Sequence, residues 1–229
     1  MTSAPLLLFP TQWGDRYWNM AFDEAMWRWV AAARTPAVGR LYRWSDRPVV
    51  SIGYFQPTRD LERIACAQRL AFVRRPTGGG AIVHDAELTF AVAVPLGSPL
   101  AARVFIRRLR EQVVVGLRAR GLPACVAAVD GDPAAALCLR RPEPAAVTVE
   151  GQRVLAMAQR RNAHALLVHG ILDQRVGLTG QDAETLLGAA LARACGGAVA
   201  LGTPPAEITA LADALLRQRY GAADWNSRR

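Results

Sequence analysis

Along the chain the spacing of apolar positions changes several times, and each change marks an element. Residues 5–9 form a short apolar run, which predicts an edge strand. From 16 to 34 the side chains of Trp18, Phe22, Ala25, Met26 and Trp29 recur three or four apart. This predicts a helix with those aromatics in the core, capped by Asp15 and ended by Thr35-Pro36. Residues 39–44 and 49–54 predict two strands joined through Ser45-Asp46-Arg47-Pro48 as a hairpin. Pro57-Thr58-Arg59-Asp60 is a turn, and a short helix over 61–69 carries Cys66 as a structural cysteine. Residues 70–73 and 88–95 are apolar and predict strands, the second mostly buried. Gly97-Ser98-Pro99 opens a long helix reaching Arg120, with Phe105, Leu109, Val113 and Leu117 on one face and arginines over much of the rest. Such a charge run reads as a solvated helix face, and Gly121 ends the helix. Residues 123–129, 146–150, 153–159 and 163–172 predict further strands, with hairpin turns at Glu150-Gly151 and Asn162. Residues 182–194 and 205–220 read as two amphipathic helices joined by a Gly-rich link. Strands come in clusters rather than alternating with helices. The expected class is therefore α+β with mixed, mainly antiparallel sheets and flanking helices.

One stretch stands apart: Arg74-Arg75-Pro76-Thr77-Gly78-Gly79-Gly80-Ala81-Ile82-Val83-His84-Asp85. Glycine accepts positive φ and lets a ligand approach the backbone. Three in a row, beside two arginines and a threonine, suggest exposed N–H groups facing a carboxylate or an acyl-phosphate. The alternative is a plain hairpin turn. No Gly-Lys-Ser/Thr follows, so this is not a P-loop, and it does not fit the dinucleotide fingerprint.

Composition narrows the setting. The 229 residues, 52% hydrophobic, suit one globular domain over 1–229, with the helices of about 180–220 belonging to it and no large accessory domain. No apolar run reaches the roughly 18 residues of a membrane span, and Leu6-Leu7-Leu8-Phe9 is too short for a signal peptide, so a cytoplasmic location is expected. Cys66, Cys125, Cys138 and Cys195 make no metal-ligand spacing with the histidines; no metal site is expected, and the cysteines read as free thiols. The formal charge is +9, and every one of the 28 basic residues is arginine. That suits an acidic partner. The arginines are scattered and no nucleic-acid-binding motif is present, so an acidic carrier protein is at least as good a candidate as nucleic acid.

The glycine-rich stretch, followed by Glu87-Leu88-Thr89-Phe90, resembles the signature of the lipoate–protein ligase and octanoyltransferase family, relatives of the biotin protein ligase catalytic domain. Three further pieces agree in order. They are Asn19-Met20-Ala21-Phe22-Asp23-Glu24-Ala25; Leu41-Tyr42-Arg43-Trp44 with Pro48 to Gln56; and Ala158-Gln159-Arg160-Arg161 with Val168-His169-Gly170-Ile171-Leu172. The resemblance implies the catalytic-domain fold of that family. It also implies an acyltransferase or ligase that attaches a lipoyl or octanoyl group to a lysine of a lipoyl carrier domain. That domain would be of the glycine-cleavage H protein or dehydrogenase E2 type. The donor is either free lipoate with ATP and Mg or an acyl group held by an acyl carrier protein or lipoylated domain. A short ligase would also need a separate small accessory protein.

On this resemblance Arg75, Thr77, Gly78, Gly79, Gly80, Ala81, His84, Ala158, His169 and Gly170 fall on substrate-binding positions, and Arg75 and Arg153 would hold the acyl head group. Cys138 resembles the loop cysteine that carries the acyl thioester in cysteine-type transferases, with Arg140, Arg141 and Arg153 to favour a thiolate. Many relatives carry a cysteine there without using it. Two departures stand out: Arg153 occupies the position of the family's functional lysine, and Ala156 that of a glycine. Arginine keeps the charge but does not lose a proton at neutral pH. The Gly-Gly-Gly run looks like the ligases, whereas His84 to Thr89 looks like the transferases, which leaves the donor open. A non-catalytic relative that binds an acylated partner is the alternative.

Overall fold

A computed structural model describes residues 5–33, 36–64 and 69–228 of the chain. Cys66 lies outside them. β1 (Leu6–Gly14) leads into α1 (Arg16–Ala33). The Asp15 carboxylate accepts from the backbone N–H groups of Tyr17 and Trp18, at 2.9 and 2.8 Å, and so caps α1 as expected. β2 (Val38–Trp44), β3 (Val49–Ile52), β4 (Ala71–Arg74), β5 (Ile82–His84) and β6 (Leu88–Pro95) follow. Next come α2 (Pro99–Arg118), β7 (Ala124–Val129), β8 (Glu143–Val149), β9 (Gln152–Arg153), β10 (Leu155–Arg161) and β11 (Ala165–Leu172). The order ends with α3 (Gly180–Ala194), β12 (Val199–Leu201), α4 (Ala206–Leu215) and α5 (Ala223–Ser227).

The large sheet runs β10-β11-β6-β2-β1-β12, with smaller sheets β4-β3-β5 and β7-β8-β9. Among the described residues six strand pairings are antiparallel and three parallel. The class is α+β, as the clustering of strands implies. Both faces of the large sheet are covered. Leu88, Phe90, Val92, Leu166 and Val168 pack with α2 and α3, while Ala91, Ala93, Ala165 and Leu167 pack with α1 and α4. Side chains on a strand alternate between faces. The parity that sends Ala165 and Leu167 toward α1 therefore sends His169 there too. The small alanines on this face leave room for Phe22, Met26 and Trp27 of α1.

Several expectations change. β1 is not an edge strand, because β12, part of the Gly-rich link, pairs outside it. β2 and β3 do not form a hairpin: β2 joins β1 and β6, and β3 joins β4 and β5. β2 is buried at all positions but Arg43, so it needs neighbours on both edges and cover on both faces. A 3₁₀ segment at Thr58–Arg63 covers the start of the helix expected over 61–69, whose residues 65–68 lie outside the described ones. The strand expected over 153–159 breaks at Val154, whose N–H turns to the Val147 carbonyl, so β9 and β10 belong to different sheets. The Glu150-Gly151 hairpin holds, with φ of 50° and 78° at its two central residues.

Candidate active site

β4 carries the chain to Arg74, and β5 takes it back from Ile82. The connection between them is the glycine loop. Arg75 shapes it from inside. Its guanidinium is buried and donates from Nε and Nη2 to the Gly78 carbonyl (3.2 and 2.8 Å) and from Nη2 to the Gly80 carbonyl (2.7 Å). Nη1 reaches the Ser51 carbonyl and hydroxyl, at 3.0 and 3.3 Å. All five N–H groups thus bind the loop and β3. Burial lowers the Arg75 pKa to about 10, Cys138 and Tyr42 oppose the shift, and Arg141 adds to it; the group stays cationic at neutral pH.

Arg74 fastens the loop from outside. Its guanidinium donates to the carbonyls of Gly53 (2.9 Å) and Gln56 (2.6 Å), and to those of Asn226 (3.2 Å) and Arg228 (2.7 Å) past α5. Asn226 Oδ1 accepts from Arg74 N–H at 2.9 Å, and Trp225 Nε1 donates to the Arg74 carbonyl at 3.0 Å. The 53–56 turn in turn lies on the glycine loop. A Cβ on Gly53 would come within 2.0 Å of the Gly79 carbonyl oxygen, which excludes every other residue there.

Two histidines stand behind the loop, each held by a carboxylate and each ending on a hydroxyl. His169 faces Asp23 through Nδ1 (3.0 Å) and Thr77 Oγ1 through Nε2. Asp23 also receives Arg40 (Nη2, 2.7 Å) and the Tyr42 hydroxyl (2.9 Å), all buried. Burial would raise the Asp23 pKa, but Arg40 and His169 outweigh it and hold the carboxyl below its usual range. Burial pushes His169 down, reinforced by the charges of Arg75 and His84 and opposed by Asp23. His169 is therefore the neutral tautomer with Nδ1–H on Asp23, and the Thr77 hydroxyl donates to its Nε2. His84 repeats the scheme: Nδ1 meets Glu87 and Nε2 meets the Ser51 hydroxyl at 2.8 Å, with the ring stacked on Trp44 at 4.0 Å. Burial works against Glu87 ionisation, but His84 and the backbone N–H groups hold its pKa low.

The segment around Cys138 is laced onto the same loop. Ala81 N–H donates to the Ala136 carbonyl and Cys138 N–H to the Ala81 carbonyl, each at 2.8 Å. Cys138 is buried against Ile82, Ala156, Ile171 and Leu139. Arg153 Nη1 donates to the Cys138 carbonyl (3.3 Å), and its Nη2 lies 3.5 Å from Glu143, which also binds Arg110 at 3.1 Å. The Ala156 methyl fills space beside Cys138 that a glycine would leave open.

Between the histidines lies a narrow pocket of about 20 Å³, with Met20, Tyr42, Ile82 and Ile171 as apolar walls and Ser51, Arg75, His84 and His169 as its polar end. Trp44, Thr89, Ala158 and Gly170 complete its lining. Two open grooves adjoin it. One, about 470 Å³, shares Ile82 and Ile171 and extends past Ala81, Leu137 and Leu139. The other, about 390 Å³, shares Ala158 and runs along Gly78, Gly79 and Met157.

The fold thus gathers Arg75, His84, Ala158, His169 and Gly170 at one pocket, ties Thr77 to His169, sets Gly78 and Gly79 on one groove, and joins Gly80 and Ala81 to Cys138. Arg153 reaches the Cys138 backbone but not the loop carbonyls that Arg75 binds. Sequence reasoning missed Asp23, Arg40, Ser51 and Glu87. A signal existed for two of them: Asp23 is an acid on the apolar face of a helix, and Arg40 a cation inside a strand run.

Comparison with known proteins agrees with this layout. Residues 15–215 match the model of the lipoyl protein ligase A/B catalytic domain. The octanoyltransferase LipM of Kyrpidia tusciae is 38% identical over 176 residues, covering 71% of this chain and 64% of that protein. That of Geobacillus kaustophilus is 35% identical over 166 residues, covering 66% and 59%. The chain thus spans about three fifths of the length of these relatives. A T. acidophilum protein described as a lipoate protein ligase, with bound lipoic acid, has the same fold, at a TM-score of 0.79 and 23% identity over 98% of this chain and 99% of that one. No helix among the described residues is long and apolar enough to cross a membrane. With the family model matching over most of its length, the chain belongs to the lipoyl protein ligase A/B catalytic-domain family.

Proposed function

We propose that this chain is an acyltransferase that moves an octanoyl or lipoyl group to the lysine of a lipoyl carrier domain, with Cys138 as the relay and 1–229 working as one catalytic unit. The observation that carries this is the seam between the Cys138 segment and the glycine loop: two backbone hydrogen bonds hold residues 136–138 on Ala81, beside apolar walls that continue into a narrow pocket. In the first half-reaction the Cys138 sulfur attacks the carbonyl carbon of a carrier-bound thioester. The carbon–sulfur bond to the carrier breaks, and the carrier thiolate takes up the proton that Cys138 releases. In the second half the uncharged acceptor amine attacks the Cys138 thioester, an amide forms, and the amine proton returns to sulfur. Arg75 keeps the Gly78–Gly80 backbone in shape, and Thr77 and His84 are set by the histidine relays. Arg153 supports the Cys138 carbonyl while supplying positive charge. Its guanidinium cannot serve as a base, so the lysine ammonium must give up its proton to another acceptor before the uncharged amine attacks.

Both LipM relatives are octanoyltransferases, which favours a carrier-bound octanoyl donor. The Gly-Gly-Gly run and the likeness to a lipoic-acid-bound ligase support a second reading, in which lipoate is activated with ATP and Mg and a small accessory protein assists. Incubation with octanoyl-carrier and an apo lipoyl domain, with and without ATP and lipoate, separates the two by intact-protein mass. Octanoyl on Cys138, lost in Cys138→Ser, and then on the acceptor lysine is expected without ATP. An acceptor that gains no mass under any condition defeats both readings.

A further inference from the structure

At the rim of the glycine loop the 53–56 turn presents Phe55 to solvent with 85% of its surface exposed, beside the half-buried Tyr54. Tyr54 N–H donates to the Thr77 carbonyl at 2.7 Å, so the turn rides directly on the loop. Guanidiniums lie over the neighbouring rings, that of Arg219 being ion-paired with the buried Glu24 at 2.7 Å. Arg228 lies 3.9 Å over the Tyr54 ring and 4.2 Å over Trp225; Arg219 lies 4.5 Å over Trp225; Arg160 lies 5.5 Å over Tyr54 and 4.6 Å over Trp27. Arg160 also donates to the Pro76 carbonyl, at 3.4 Å, and stands two positions along β10 from Ala158 of the pocket. A hydrogen bond from Arg228, helped by the charges of Arg228, Arg160 and Arg219, pulls the Tyr54 phenol below its usual pKa.

We propose that this turn, an exposed Phe55 set among Arg160, Arg219 and Arg228, is where the acidic carrier domain bearing the acceptor lysine docks. The proposal rests on the acyl-transfer reading and adds the surface. An exposed apolar side chain against Tyr54, whose ring carries the guanidiniums of Arg160 and Arg228, fits a partner with a small apolar spot inside an acidic face. The chain's formal charge of +9 favours such a partner at long range. Nucleic acid fits less well, because, of the three rings of Tyr54, Phe55 and Trp225, that of Phe55 alone stands open for a base to stack on, while guanidiniums cover the other two. The position also suits the chemistry: a lysine entering past Gly79 and Ala158 meets the groove that adjoins the pocket.

The test uses Phe55→Asp and Arg160→Glu in the full chain, with a small-molecule octanoyl thioester as donor and an apo lipoyl domain as acceptor. KM for the acceptor should rise roughly tenfold or more, with kcat at saturation and thioester formation on Cys138 unchanged. Affinity of the wild-type chain for a labelled apo lipoyl domain should weaken as salt is raised, and less so in Arg160→Glu. Thioester formation with an unchanged acceptor KM in both variants overturns the docking surface alone. Absence of any thioester in the wild-type chain removes the acyl-transfer reading, and the surface with it. Displacement of the lipoyl domain by single-stranded RNA, with the variants losing RNA affinity, assigns the patch to nucleic acid and overturns the proposal.

Discussion

Substituting Gly80 by alanine tests whether the glycine loop braces the Cys138 segment. An ideal Cβ at position 80 would lie 2.8 Å from the Ala136 carbonyl oxygen, 2.9 Å from the Cys138 nitrogen and 3.1 Å from Arg141 Nε. The first two are backbone atoms, so no flexible side chain can swing away; the 136–138 segment has to move. That motion loosens the two 2.8 Å hydrogen bonds between Ala81 and the segment. At about 0.5–1.5 kcal/mol each, the loss is about 1–3 kcal/mol. With an unfolding entropy near 2.1 cal/mol/K per residue, a 229-residue chain loses about 2 °C of Tm per kcal/mol, which predicts a fall of about 2–6 °C. Gly78→Ala is the control: nothing lies within 4 Å of its Cβ, and the change should stay within about 0.5 kcal/mol. Calorimetry gives the stability difference. Loading of Cys138 from an octanoyl thioester, followed by intact mass, gives the chemistry, and misplacement of the thiol should slow it by about tenfold or more. If Gly80→Ala melts within a degree of wild type and loads at the same rate, the seam between the two segments is not what positions the thiol.

Three further outcomes follow from the buried network and from Arg153. Asp23→Asn leaves Arg40 buried without its carboxylate and should cost about 3–5 kcal/mol in urea unfolding; a loss under 1 kcal/mol would contradict the pairing. Stability should fall as pH drops below about 6.5, where the unfolded chain protonates its histidine while His169 stays neutral, and fall further below about pH 4, where unfolded carboxylates protonate before Asp23 and Glu87 do. His169→Gln should flatten the pH dependence of the urea midpoint just below about pH 6.5, and an unchanged slope would exclude His169 as the source. Arg153→Ala should slow Cys138 loading about tenfold, whereas Arg153→Lys should stay within a few-fold of wild type. Transfer seen only in Arg153→Lys would mark the wild-type chain as a binder rather than a catalyst.

Local signals were legible where the chain obeys one rule at a time. The Asp15 cap, the apolar face of α2 and the Glu150-Gly151 turn follow from adjacent residues alone. The glycine loop stood out in the sequence because three glycines follow two arginines between apolar runs, and Gly78 and Gly79 do line a groove. What stayed hidden was long-range. Nothing near Ser45 says that β2 and β3 separate into different sheets, since that depends on β6 and β4 competing for their edges. The histidine relays join residues as far apart as Asp23 and His169, which share a face only once α1 lies across β11. Arg75 was read as a ligand clamp because its loop partners are carbonyls, and a backbone oxygen leaves no mark in a sequence.

The Arg74 tether carries a consequence for how the protein is made. Asn226 and Arg74 lie 152 positions apart, yet each completes the other's hydrogen bonding. At about 5–20 residues per second, a ribosome that has placed Arg74 works on for about 8–30 s before Asn226 exists. Through that interval a guanidinium that ends up enclosed lacks half its carbonyls, and the turn bearing Phe55 is held on one side only. A nascent chain should therefore gain function in a single late step, once Asn226 has been added, rather than gradually.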